Sequence, residues 1–105
     1  MIKLNKIERQ DEKVFLITGA NSGLGYETSK LLLEKGATVI MCCRDALKGE
    51  RAKQKLLKYN FPGNIDLLNL DLADLSNVKN AAKLVKNKFN RLDVLINNAG
   101  IMAPP

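Results

Sequence analysis

Val14-Phe15-Leu16-Ile17-Thr18-Gly19-Ala20-Asn21-Ser22-Gly23-Leu24-Gly25 is an apolar run that passes straight into a glycine-spaced turn. Val14–Thr18 carries no polar residue before Thr18. That is the pattern of a strand covered on both faces, as in a parallel sheet. The glycines follow the spacing G-x-x-x-G-x-G, and each has a physical task. Gly19 leaves the strand through a tight turn. Gly23 lets backbone amides approach a ligand with no Cβ in the way. Gly25 lets the following helix pack close to the strand. The helix start presents unpaired N–H groups and the positive end of its dipole, which suits the pyrophosphate of a dinucleotide. No lysine follows Gly25, so a nucleoside-triphosphate loop is disfavoured.

The alternation continues outward from this turn. Gly23–Lys35 reads as a helix with Leu24, Thr28, Leu31 and Leu32 on one face and Gly36 as its stop. Ala37–Cys43 is a second apolar strand. Ala46–Asn60 is a basic amphipathic helix with Ala52, Leu56 and Tyr59 on a common stripe. Phe61, Pro62, Gly63 and Asn64 form a loop. Ile65–Leu70 is a third strand. Ser76 is positioned to cap a helix carrying Val78, Ala81, Ala82, Val85 and Phe89 on its apolar face. Leu92–Asn97 is a fourth strand. Strands alternating with helices imply an α/β fold with a parallel sheet and right-handed crossovers. Residues 1–13 are an N-terminal extension, either loose or a short surface helix, and 14–105 form the dinucleotide-binding part.

Composition narrows the function. A chain of 105 residues suggests one domain, and 46% hydrophobic with 27% charged residues is ordinary for a globular protein. The net charge of +6 comes from lysines spread over two helical segments. Solvated helix faces explain them, and no nucleic-acid-binding motif accompanies the charge. No apolar run is long enough to span a membrane. The start of the chain lacks a secretory pattern, so a cytoplasmic location is expected. Cys42 and Cys43 are adjacent and point to opposite faces of a strand. They lack zinc-site spacing, and with no histidine in the chain no metal site is expected.

Thr18, Gly19, Gly23 and Gly25, together with Asn97-Asn98-Ala99-Gly100 and the weaker Asp71-Leu72 pair, resemble the classical short-chain dehydrogenase/reductase family. The resemblance runs from Val14 to the end. It implies a Rossmann-like fold, of which these strands form the first half in the order 3-2-1-4, truncated, with flanking helices. The switch point between strands 1 and 4 then lies between Gly19 and Asn97. By similarity, Thr18 ties the first strand's turn to the Asn97–Gly100 segment. Gly19, Asn21, Ser22, Gly23, Leu24 and Gly25 hold the cofactor phosphates and adenosine. Asp71 and Leu72 flank the adenine. Asn98, Ala99 and Gly100 line the ribose and nicotinamide side. Within the family, the motifs look most like the branch of retinol dehydrogenases, protochlorophyllide reductases and the WW-domain oxidoreductase.

An NAD enzyme usually places an acid at the end of strand 2. Here that position is Cys43, followed by Arg44. A guanidinium there pairs with a 2′-phosphate, with Asn21 and Ser22 adding hydrogen bonds, so NADP(H) is expected over NAD(H). The competing reading makes Arg44 a surface residue paired with Asp45.

Family chemistry is hydride transfer between nicotinamide and a small carbonyl or alcohol substrate. The family's serine and Tyr-x-x-x-Lys set lie beyond the Asn97–Gly100 segment, and the chain stops at Pro105. Tyr26 and Tyr59 stand on other elements, so no catalytic residue is assigned and the chain alone is expected to be inactive. Two other readings are carried: a non-catalytic NADP(H)-binding or redox-sensing module, and a non-functional gene fragment. A fourth strand left as an apolar edge invites self-association.

Overall fold

The computed structural model describes residues 9–21, 23–69, 75–96 and 98. Among the described residues, strands and helices alternate: β1 (Val14–Thr18), α1 (Gly23–Glu34), β2 (Thr38–Cys43), α2 (Ala46–Leu57), β3 (Asn64–Asn69), α3 (Leu75–Phe89) and β4 (Val94–Ile96). The sheet order is β3-β2-β1-β4, and all three pairings are parallel. Leu16 is the registration point: it sits beside Ile40 of β2 and Leu95 of β4.

Strand alternation sorts the apolar residues onto two faces. Phe15, Ile17, Val39, Met41 and Cys43 pack with Leu32, Leu33, Ala52 and Leu56 of α1 and α2. Val14, Leu16, Ile40 and Cys42 pack with Ala81 and Val85 of α3. The adjacent cysteines therefore do face opposite ways. Both are buried and neither is in a disulfide.

Three local readings of the sequence are corrected. The buried stripe of α1 is Gly25, Ser29, Leu32 and Leu33, not Leu24, Thr28 and Leu31. Leu24 is 66% exposed. Tyr59 lies beyond the end of α2 and is half exposed. Tyr59 N–H and Asn60 N–H donate to Leu56 O and Leu57 O, which tightens the last turn, and Asn60 has φ 54°, which ends it. Finally, α3 begins at Leu75, so Ser76 lies inside the helix rather than at its cap.

The C-terminus of α1 is closed by a Schellman motif. Gly36 N–H donates to Leu33 O and Ala37 N–H to Leu32 O, each at 3.1 Å, with Gly36 at φ 92°. Gln10 N–H donates to Lys35 O at 2.8 Å, so the chain before β1 is tied to this same helix end.

Candidate functional site: the glycine turn at the end of β1

The turn leaves the carboxyl end of β1 beside β2. Gly19 N–H donates to Cys42 O at 3.0 Å. Gly19 (φ 60°) and Gly23 (φ 58°) both have the left-handed backbone that side chains resist. A Cβ at Gly23 would meet nothing within 4 Å. At Gly25 the situation is reversed. A Cβ there would run into the Gly19 carbonyl oxygen and come within 2.9 Å of Asn98 Nδ2. Gly25 is thus required by close packing, and Gly23 by conformation at an open face.

Two contacts bring the end of β4 to this turn. Thr18, fully buried, donates from Oγ1 to Ile96 O at 3.5 Å. Asn98 Nδ2 donates to Gly19 O at 3.2 Å, across 79 positions of sequence. The chain thus joins β1 and β4 at the switch point, where open α/β sheets place their ligands.

The Cys43 thiol lies beneath the turn. Burial pushes its pKa up, and backbone N–H groups of Ala20 and Asn21 pull the other way. With its amide turned so that nitrogen faces the carbonyls, Asn69 donates to Cys43 O and Arg44 O, both at 2.9 Å. This clamp fixes the end of β2 from the neighbouring strand.

Arg44 is exposed and forms no ion pair with Asp45. Asp45 instead caps α2, accepting from Lys48 N at 3.1 Å. That hydrogen bond, ahead of the nearby cations, holds its carboxyl below the usual range. The Arg44–Asp45 pair weighed from sequence is therefore absent.

Between the turn and α2 lies an open cleft of about 490 Å³. Asn21, Gly23 and Tyr26 form one wall, and Lys48, Arg51 and Lys55 the other. Ala52 closes the floor. Backbone N–H groups at a helix start, an approach free of side-chain atoms and facing cations make this a place for a phosphorylated ligand. The residues fit the phosphates of a dinucleotide.

Gly19, Asn21, Gly23, Leu24, Gly25 and Asn98 are gathered around the turn, and Arg44 stands at the adjacent end of β2. Ser22, Asp71, Leu72, Ala99 and Gly100 lie outside the described residues. Sequence reasoning missed the cleft-facing cations. It read them as a solvated helix face, although their spacing of three and four placed them on a single stripe.

A parallel sheet ordered 3-2-1-4, with a glycine turn at its switch point, defines a Rossmann-like nucleotide-binding fold. The short chain dehydrogenase family matches residues 13–105, and the chain belongs to that family, whose members are oxidoreductases using nicotinamide cofactors. A short-chain dehydrogenase/reductase of Penicillium roqueforti, prx1, is 42% identical over 96% of this chain and 29% of its own length. Retinol dehydrogenase 12 of Mus musculus is 40% identical over 89% of this chain and 29% of its own. The solved Pseudomonas aeruginosa RhlG, in an NADP active-site complex, superposes with a TM-score of 0.74 at 30% identity, covering 86% of this chain and 35% of that one. The chain spans less than a third of the length of the curated relatives it matches. Among the described residues, no helix is long and apolar enough to cross a membrane.

Proposed function

We propose that this chain supplies the cofactor-binding part of an NADP(H)-dependent short-chain oxidoreductase. Its reaction moves hydride between nicotinamide and a small carbonyl or alcohol substrate. The observation that carries this reading is the joined switch point: Gly25 seated against Gly19 and Asn98, with Gly23 open toward a cation-lined cleft.

In this reading Gly19, Asn21, Ser22, Gly23, Leu24 and Gly25 receive the pyrophosphate and adenosine. Asp71 and Leu72 flank the adenine. Asn98, Ala99 and Gly100 border the ribose and nicotinamide. When bound, the cofactor supplies or accepts the hydride. The chain's own part is to seat and orient it. No residue of this chain is assigned a catalytic role.

The preference for the phosphorylated cofactor is supported by the absence of an acid at the end of β2. Cys43 occupies that position, Arg44 follows, and Asp45 is committed to capping α2. RhlG, of the same fold, is described with NADP.

Calorimetric titration of the purified protein with NADPH and then NADH tests the reading. Tighter binding of NADPH is expected, by about tenfold or more for one charge-assisted contact. No binding of either nucleotide by a folded sample overturns the cradle. Equal binding overturns the preference.

A further inference from the structure

The corner where β2 passes into α2 is held from the β3 side. The last register pair of β1 with β2 is Thr18 with Cys42, and Gly19 N–H donates to the Cys42 carbonyl. Pairing with β3 runs one residue further, to Cys43 beside Asn69. Past that pair the described ladder ends, and a side chain takes over. With its nitrogen facing the two carbonyls, the Asn69 amide donates to Cys43 O and to Arg44 O, each at 2.9 Å. An amide nitrogen carries two hydrogens, and the two carbonyls use both.

Two further anchors fix the same corner. Asp45 caps α2 by accepting from Lys48 N. Gly49 lets the first turn of α2 sit down on the sheet: a Cβ there would come within 3.1 Å of Cys43 Cβ and of Leu67 Cδ1. Arg44 lies between these anchors and is exposed. Among the described residues, no ion pair or side-chain hydrogen bond steers its guanidinium. A long side chain without a partner of its own takes its direction from the backbone that carries it, and Asn69 holds that backbone.

We propose that Asn69 is a positioning residue for cofactor selection, acting through Arg44. Both of its amide hydrogens are committed to carbonyls, so its part is to aim the neighbouring group and not to meet the cofactor. The inference rests on the NADP(H) reading above, in which Arg44 faces the phosphorylated ribose, and adds the residue of β3 that orients it.

Asn69→Ala removes both donors. Asn69→Asp keeps the shape and turns a carboxylate toward two carbonyls. Asn69 is exposed at the end of its strand, so water can replace the lost bonds and both variants should fold, as circular dichroism checks. Calorimetric titration should show NADPH affinity reduced by about five- to tenfold in Asn69→Ala and further in Asn69→Asp, with NADH within about twofold of the parent. A double-mutant cycle with Arg44→Gln is the readout that a merely structural role would not move. In the Arg44→Gln background, Asn69→Ala should change NADPH affinity by less than about twofold, because the group it aims is gone. Full additivity in that cycle overturns this inference and leaves the NADP(H) reading standing. A folded Asn69 variant that keeps the parent's ratio of NADPH to NADH affinity does the same, whether both affinities hold or both fall. Equal binding of NADPH and NADH by the unsubstituted protein overturns the NADP(H) reading, and this inference with it.

Discussion

Gly23 and Gly25 stand two positions apart, and a methyl group acts differently at each. At Gly23 the cost is conformational. The backbone is left-handed at φ 58° and the added Cβ meets open space. Gly23→Ala should destabilise by about 1–2 kcal/mol and leave the fold intact, while the new methyl occupies the path to the backbone amides. At Gly25 the cost is packing. The added Cβ meets the Gly19 carbonyl and Asn98 Nδ2, which bonds that same carbonyl. Gly25→Ala should cost about 1–3 kcal/mol through overpacking and separate α1 from β4. Urea denaturation with NADPH titration tells them apart. Gly23→Ala should retain most of its stability with NADPH affinity reduced by about tenfold or more, and Gly25→Ala should lose both. A Gly25→Ala protein as stable as its parent would contradict the close approach.

Among the elements, α1 shows where sequence and structure part. Its limits were legible to within a residue, because Gly36 is a strong stop and the glycine turn a strong start. Its buried face was not. Hydrophobic periodicity favoured Leu24, Thr28 and Leu31, yet Gly25 and Ser29 lie against the sheet. A helix drawn this close must face the sheet with its smallest residues. Ser29 meets the polar cost of burial by donating to Gly25 O at 2.8 Å. Ser29→Leu should therefore destabilise by about 1–3 kcal/mol or more, whereas Leu24→Ser should stay within about 0.5 kcal/mol. Chemical denaturation of the two variants checks this, and the reverse order would restore the sequence-based face. β1 and β2 were read more faithfully, since burial on both faces leaves a continuous apolar signal, whereas the fourth strand, read as Leu92–Asn97, is assigned only over Val94–Ile96. The cations of α2 were visible as residues but not as lining. A charged helix face reads the same whether it borders a ligand or solvent.

The start of β4 holds a second element-level device. Asp93 exchanges backbone and side-chain contacts with Val14. Its N–H donates to Val14 O at 2.9 Å, and its Oδ2 accepts from Val14 N at 2.7 Å. Arg91 donates to both carboxylate oxygens, at 2.9 and 2.6 Å. The Arg91 hydrogen bond, then the Val14 N–H, hold the Asp93 carboxyl below its ordinary 3.8. A depressed folded-state pKa stabilises above the unfolded value and loses that contribution as pH falls through the folded one. Asp93→Asn should thus lower Tm at neutral pH, and the gap from the parent should narrow as pH drops below 3.8. A gap that stays constant down to about pH 2.5 would show that the charge contributes nothing.

For the molecule as a whole, the two sheet edges are unequally protected. At β3, Lys88 of α3 pairs with Asp66 at 2.6 Å, and the strand ends in exposed asparagines at both sides. Charge and polarity there discourage a further strand. At β4 the strand is three residues long, with Val94 and Leu95 exposed at 39% and 40%. Among the described residues, only β1 pairs with it. Supplied as 105 residues alone, the chain should therefore self-associate through β4. Light scattering after size exclusion should give a mass above the 11.6 kDa of one chain. Leu95→Lys places a charge on the exposed apolar strand and should shift that mass toward the monomer. Lys does not remove a backbone donor, so the pairing of β4 with β1 is kept. If the parent chain is already monomeric at high concentration, the open edge does not drive association. If it is oligomeric and Leu95→Lys leaves the mass unchanged, the contact lies elsewhere, and the half-exposed Leu84 of α3 is the next apolar position to substitute.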